Sequence, residues 1–195
     1  MSIGAAMAGG NPDPARGRDP DEYYATPAPV TVALMQQYGE LFVRGKRVWE
    51  PCAGCGMMMD QIRLAGAARV IGTDTAPRRD DVIMGNVLKT KRMPIVDAII
   101  TNPPFNLAPE IISHILCLPG GPPPFLAMVL KATFWHAASR EPLFRKHTPS
   151  VIHPLLWRPD FKDLGRPTME IMWCVWINGG GRPLTSYDPM LRPEA

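Results

Sequence analysis

The chain has 195 residues, enough for one compact domain with a full core and too few for two domains and a linker. Apolar residues make up 46% and charged residues 20%, which excludes a disordered or fibrous chain, and four cysteines are too sparse for a disulfide scaffold. The net charge of +3 is unevenly placed: residues 1–130 balance twelve basic side chains against twelve acidic ones, whereas 131–166 carries seven against three.

Residues 1–22 hold seven of the 40 prolines and glycines and show no apolar periodicity, so a disordered tail is expected there, followed by a single domain over 23–195. No window has the length or apolarity of a signal segment or membrane span, and a cytoplasmic location follows as the expectation. Over 26–42, Val30, Ala33, Leu34 and Tyr38 recur at helical spacing, with Pro29 suited to a first turn. A strand over 46–50 enters the turn PCAGCG (51–56), and a helical pattern resumes from Met57. Strands are expected at 68–74, 81–86, 96–102 and 125–132, and helices at 107–117 and 139–147. Two late strands, 151–156 and 168–177, have no helix between them and are expected to pair as an antiparallel hairpin at the sheet edge. Strands alternating with helices predict an α/β fold: a mostly parallel sheet with helices on both faces.

In such sheets ligands bind at the carboxyl ends of the strands, where Glu50, Asp74 and Asn102 should share one rim. Gly54 and Gly56 form a tight turn opening a helix, although Met59 stands where a G-x-G-x-x-G motif would have its third glycine. Asp74, at the end of the next strand, is placed to accept from a ribose diol, which points to an adenosine-containing cofactor. Asn102-Pro103-Pro104-Phe105 is the most informative tetrapeptide. Its prolines remove two amide donors, leaving the Asn102 side-chain oxygen and the Pro103 carbonyl as fixed acceptors for an sp² amine, and Phe105 offers a face to a planar base.

These residues resemble the S-adenosylmethionine-dependent DNA adenine-N6 methyltransferases, particularly small phage- and prophage-type enzymes, over about residues 23–180. Tyr24, Thr26 and Pro27 resemble the family's N-terminal cofactor motif. Glu50, Pro51, Cys52, Ala53, Gly54 and Gly56 resemble its cofactor loop, and Asp74 its ribose acid. Asn102, Pro103, Pro104 and Phe105 match its catalytic tetrapeptide. Asn86 falls where relatives usually carry an adenine-reading aspartate. The resemblance implies a Rossmann-like class I fold, a seven-stranded sheet whose last strand is antiparallel. It also implies methyl transfer to the N6 of an adenine flipped from double-stranded DNA, in a bacterial or phage-infected cell, without a metal. No length remains for a separate target-recognition domain, so short or relaxed sequence specificity is expected, with Lys131, Arg140, Arg145, Arg158 and Arg166 on phosphates and Trp157 or Phe161 near the base.

Other readings stay open on the sequence alone. Cys52 and Cys55 have the C-x-x-C spacing of a redox pair, and Pro51-Cys52 resembles the nucleophile dipeptide of cytosine-C5 enzymes. The acceptor of an NPPF enzyme could instead be RNA adenine or a protein glutamine, and a non-catalytic nucleic-acid-binding subunit would keep the same fold.

Overall fold

A computed structural model describes residues 25–161, 165, 167–180 and 184–194. The expected tail, Tyr24 and Arg166 lie outside the described residues. Five strands, β1 (Arg47–Glu50), β2 (Arg69–Asp74), β3 (Val82–Met84), β4 (Ala98–Thr101) and β5 (Phe125–Lys131), run parallel. They are followed by β6 (Val151–Pro154), β7 (Ile171–Ile177) and β8 (Ser186–Tyr187), and the sheet order is β3-β2-β1-β4-β5-β7-β6-β8.

The late hairpin exists at that end of the sheet, β6 pairing antiparallel with β7 and the two-residue β8 lying beyond it. β7 slots between β5 and β6, antiparallel to both. Its sequence IMWCVWI explains this: six of the seven residues are buried, a pattern that suits an interior strand covered on both faces and not an edge. Among the described residues the sheet has eight strands where seven were expected, because the two-residue β8 pairs parallel with β6 at the outer edge. Two polar-flanked residues carry too little pattern to announce a strand.

Alternation along the central strands supplies a core to each face. Ala127, Val129, Trp173 and Val175 point to the face packed by α1 (Ala28–Phe42) and α2 (Met57–Leu64). Leu126, Met128, Cys174 and Trp176 point to the opposite face, which α3 (Ala108–Cys117) covers through Ile111, Ile112 and Ile115. The short α4 (Glu141–Lys146) adds Leu143 to that second layer. Long-range polar bonds then join segments far apart in sequence. Trp173 Nε1 donates to the Val30 carbonyl at 3.0 Å, Trp176 Nε1 donates to the His147 carbonyl at 2.7 Å, and Tyr38 Oη lies 2.7 Å from His153 Nε2. No described helix is long and apolar enough to cross a membrane.

The missing third glycine has a structural answer. Met59, on α2, is fully buried against β2, and the room for it comes from Gly72 on that strand. A Cβ at Gly72 would collide with Met59 Sδ and sit 3.0 Å from Ala53 Cβ. The glycine that allows close helix–strand approach is therefore on the strand instead of the helix. Gly72→Ala is expected to cost about 1–3 kcal/mol by overpacking. Urea unfolding of Gly72→Ala, Met59→Ala and the double variant checks this: the double should be less destabilised than the sum of the singles, and simple additivity would contradict the shared contact.

Candidate active site at the carboxyl rim

Three strand ends and the segment before α1 enclose a cavity of about 280 Å³ beside the point where the sheet order reverses between β1 and β4. Thr26, Glu50, Pro51, Cys52, Ala53, Gly54, Asp74, Asn86, Asn102, Pro103 and Pro104 all line it. Pro27, Gly56 and Phe105 do not. Pro27 instead caps α1, its carbonyl accepting from Val30 N at 3.0 Å. Gly56 caps α2 at φ +74°, where a Cβ would be strained and would strike the Arg79 guanidinium.

The 51–56 loop is held from β2. Asp74 accepts from Gly54 N and from Ala76 N, both at 2.8 Å, and Ala53 N donates to the Thr73 carbonyl at 3.0 Å. Two lone-pair sites on the Asp74 carboxylate remain after these bonds. Outside the loop, Arg79 bonds Asp60 on α2 and Asp81 before β3, and Arg63 bonds the same two acids, tying the start of α2 to the β2–β3 connection.

Glu50 is 2% exposed, and its Oε2 has no hydrogen-bond partner. Burial pushes its carboxyl well above the usual range, and the nearby Cys55 and Asp74 add to the rise. The native state thus holds a proton that the unfolded chain releases near pH 4.5, so this group's contribution to stability is lost as pH rises above that value. Glu50→Gln should therefore raise the melting temperature of the ligand-free protein more at pH 8 than at pH 5. Parallel melting curves across pH for the two proteins would show that the buried carboxyl does not titrate.

The cavity-lining thiol of Cys52 is pushed up to about 12 by burial, above all other causes. A thiol held protonated is not a ready nucleophile, which runs against the reading of Cys52 as an attacking cysteine.

Asn86 Oδ1 accepts from Leu88 N at 2.9 Å and caps a short 3₁₀ turn, Val87–Lys89. That turn, unsuspected from sequence, sets Val87 and Leu88 beside the cavity as apolar walls. Asn102 Nδ2 donates to Thr26 Oγ1 at 3.0 Å, a bond spanning 76 positions. Phe105 is 8% exposed, and the Lys131 ammonium stands 5.1 Å from its ring centroid. A base stacking on that face must displace the lysine.

Among the described residues, basic side chains of 131–166 have separate partners. Lys131, at the end of β5, borders the NPPF loop. Arg140 folds onto Phe134, donating to its carbonyl and lying 4.1 Å over its ring. Arg145 pairs with Glu141, and Arg158 pairs with Glu170 at 2.5 Å. Trp157 and Phe161 are half-buried against the core layer of α1 and α2, which accounts for their apolarity without a ligand. Among the described residues no cluster of His, Cys, Asp and Glu is arranged to hold a metal.

No protein-family model and no curated protein matches the chain. Solved structures do. One from Pyrococcus horikoshii, provisionally named an RNA methyltransferase, has a TM-score of 0.63 at 16% identity over 81% of this chain and 87% of its own. A second, from Listeria monocytogenes, provisionally named a class I S-adenosylmethionine-dependent methyltransferase, has a TM-score of 0.60 at 13% identity over 90% of this chain and 68% of its own. The fold is that of the class I methyltransferases. A type I restriction-modification methyltransferase subunit from Streptococcus thermophilus shares it, with a TM-score of 0.56 at 14% identity; 85% of this chain covers 47% of that one. On the class I methyltransferase fold seen here, β8 is a terminal addition beyond β6, remote in sheet order from the β1–β4 rim.

Proposed function

We propose that this chain transfers a methyl group from S-adenosylmethionine to the N6 amino group of adenine flipped out of double-stranded DNA, with short or relaxed sequence preference. The observation that carries the reading is the convergence in one cavity of the 51–56 loop, Asp74 and the NPPF loop. The residues fit such a cofactor. Glu50, buried with an unsatisfied Oε2, can give up its proton to face a cationic group, and Asp74 offers acceptors to hydroxyl groups, while Val87 and Leu88 offer apolar walls to a planar ring. When bound, S-adenosylmethionine supplies an electrophilic methyl group.

The chain's own part is positioning and polarisation. The Asn102 side-chain oxygen and the Pro103 carbonyl accept the two amino hydrogens of the target base, favouring a pyramidal nitrogen with an available lone pair. Pro103 and Pro104 have no N–H to compete for those acceptors and hold the loop stiff. Lys131 stands where it can meet the phosphate next to the extruded base. Arg145 and Arg158 sit in exposed ion pairs of the kind worth little, so exchanging a carboxylate for a DNA phosphate costs them little.

Mass spectrometry of nucleosides from unmethylated DNA and RNA, each incubated with the protein and S-adenosylmethionine, tests the proposal. N6-methyladenine in DNA is the expected product. The same product in RNA alone would move the substrate to RNA, and methylglutamine in a protein digest with neither nucleic acid modified would overturn the nucleic-acid assignment.

A further inference from the structure

Glu50 ends β1 with its side chain buried, yet it lines the cavity and its Oε2 has no hydrogen-bond partner. A carboxyl oxygen in that position is costly if it carries charge, because neither water nor a protein donor compensates it. Its neighbours oppose the charge more than they support it. From α2 the Met59 backbone N–H bonds the carboxyl, and from the β2–β3 connection Arg79 favours the charged form. Arg79 is, however, already paired with Asp60 and Asp81. Against these two stand burial first, then Cys55 of the 51–56 loop and Asp74 at the end of β2. Cys52 of the same loop is a neutral thiol. Among the described residues that line the cavity, the other charged one is Arg78.

The two acids are unequally supplied with donors. Asp74 accepts from two backbone N–H groups, whereas Glu50 keeps one oxygen bare toward the cavity. A bare acceptor is matched by a donor. Of the two cationic groups of S-adenosylmethionine, the sulfonium has no hydrogen to give and the ammonium has three.

We propose that Glu50 keeps a proton in the ligand-free protein and releases it as the cofactor's ammonium enters, so that one proton leaves for each cofactor bound. The identity of the ligand rests on the methyltransferase reading above. The carboxyl O–H bond breaks, its proton passes to solvent, and the carboxylate left behind accepts an ammonium N–H. One positive charge enters as another leaves, so Glu50 and Asp74 never face each other as two uncompensated anions. S-adenosylhomocysteine carries the same ammonium, and the proton therefore returns only when product departs.

Calorimetric titration with S-adenosylhomocysteine tests this at about pH 6, below the roughly 7.7–8.0 at which the ligand's own amino group titrates. Binding heats in MES, cacodylate and imidazole buffers, which differ in ionisation enthalpy, give the number of protons released. Wild type should release about one, and its affinity should rise about tenfold for each pH unit gained around this value. Glu50→Gln should bind with no proton released and an affinity that is flat with pH. The analogue lacking the amino group should bind wild type without releasing a proton. As a readout independent of the variant, ¹³C NMR of glutamate-labelled wild type should show one buried carboxyl become a carboxylate on ligand addition. Binding by wild type without proton release, equal release by Glu50→Gln, release that persists with the amino-free analogue, or an unmoved carboxyl signal overturns the exchange and leaves the cofactor assignment standing. Absence of binding heat with both S-adenosylmethionine and S-adenosylhomocysteine overturns the cofactor reading and the exchange together.

Discussion

Asn102→Ala is expected to reduce methyl transfer by at least about a hundredfold while leaving the affinity for S-adenosylmethionine close to wild type. The residue stands at the end of β4, where Ile99 and Ile100 are fully buried and hold the strand rigid up to the loop. In the proposed mechanism, losing its amide removes the side-chain acceptor for the target amine, and the Pro103 carbonyl remains as a partial substitute. Asn102→Asp is a sharper probe, because its carboxylate accepts hydrogen bonds but cannot donate to Thr26 as the amide nitrogen does. Radiolabelled transfer to unmethylated DNA measures the first quantity and calorimetric titration of the cofactor the second. A comparable loss in both would mean that Asn102 helps to hold the cofactor and not chiefly the acceptor.

The complementary expectation concerns Asp74→Ala, which should weaken cofactor binding by roughly 1–3 kcal/mol through lost charge-assisted bonds to a ribose. Two further losses push toward the upper end. Gly54 N and Ala76 N give up their acceptors, and the 51–56 loop loses a tether to β2. Asp74→Asn should fall between, since one oxygen is kept while the new amide group faces a backbone N–H. Calorimetry on the three proteins, with kcat at saturating cofactor alongside, separates the roles: Asp74→Ala should recover much of its turnover when the cofactor is saturating, and Asn102→Ala should not. Recovery of neither would indicate that Asp74 orders the site as a whole.

Much of this site is legible in the sequence because each part is a local signal. Glu50, Asp74 and Asn102 each end a short apolar run, and a parallel sheet gathers such ends at one rim. The features that escaped depend on partners distant in the chain. Gly72 looks like an ordinary strand glycine until Met59 is packed over it. Thr26 and Asn102 have no pattern that joins them before α1 and β4 are assembled. Trp157 and Phe161 suggest base-stacking residues by composition, and the fold shows that both are also partly buried against the core layer that contains α1 and α2 residues. The sequence offers the Phe105 face to a planar base, and the fold brings Lys131 at the end of β5 over that ring.

By itself, then, the sequence determined the α/β alternation, the parallel body of the sheet and the strand-end residues at the rim, because these follow from hydrophobic period and turn chemistry over a few residues. Tertiary structure alone decided that β7 lies inside the sheet, that eight strands form it, that Asp74 supports the loop it faces, and that Thr26 holds Asn102. Those outcomes depend on which buried surfaces and hydrogen-bonding groups meet across long separations, and burial of a polar group has a meaning only once its partner is in place.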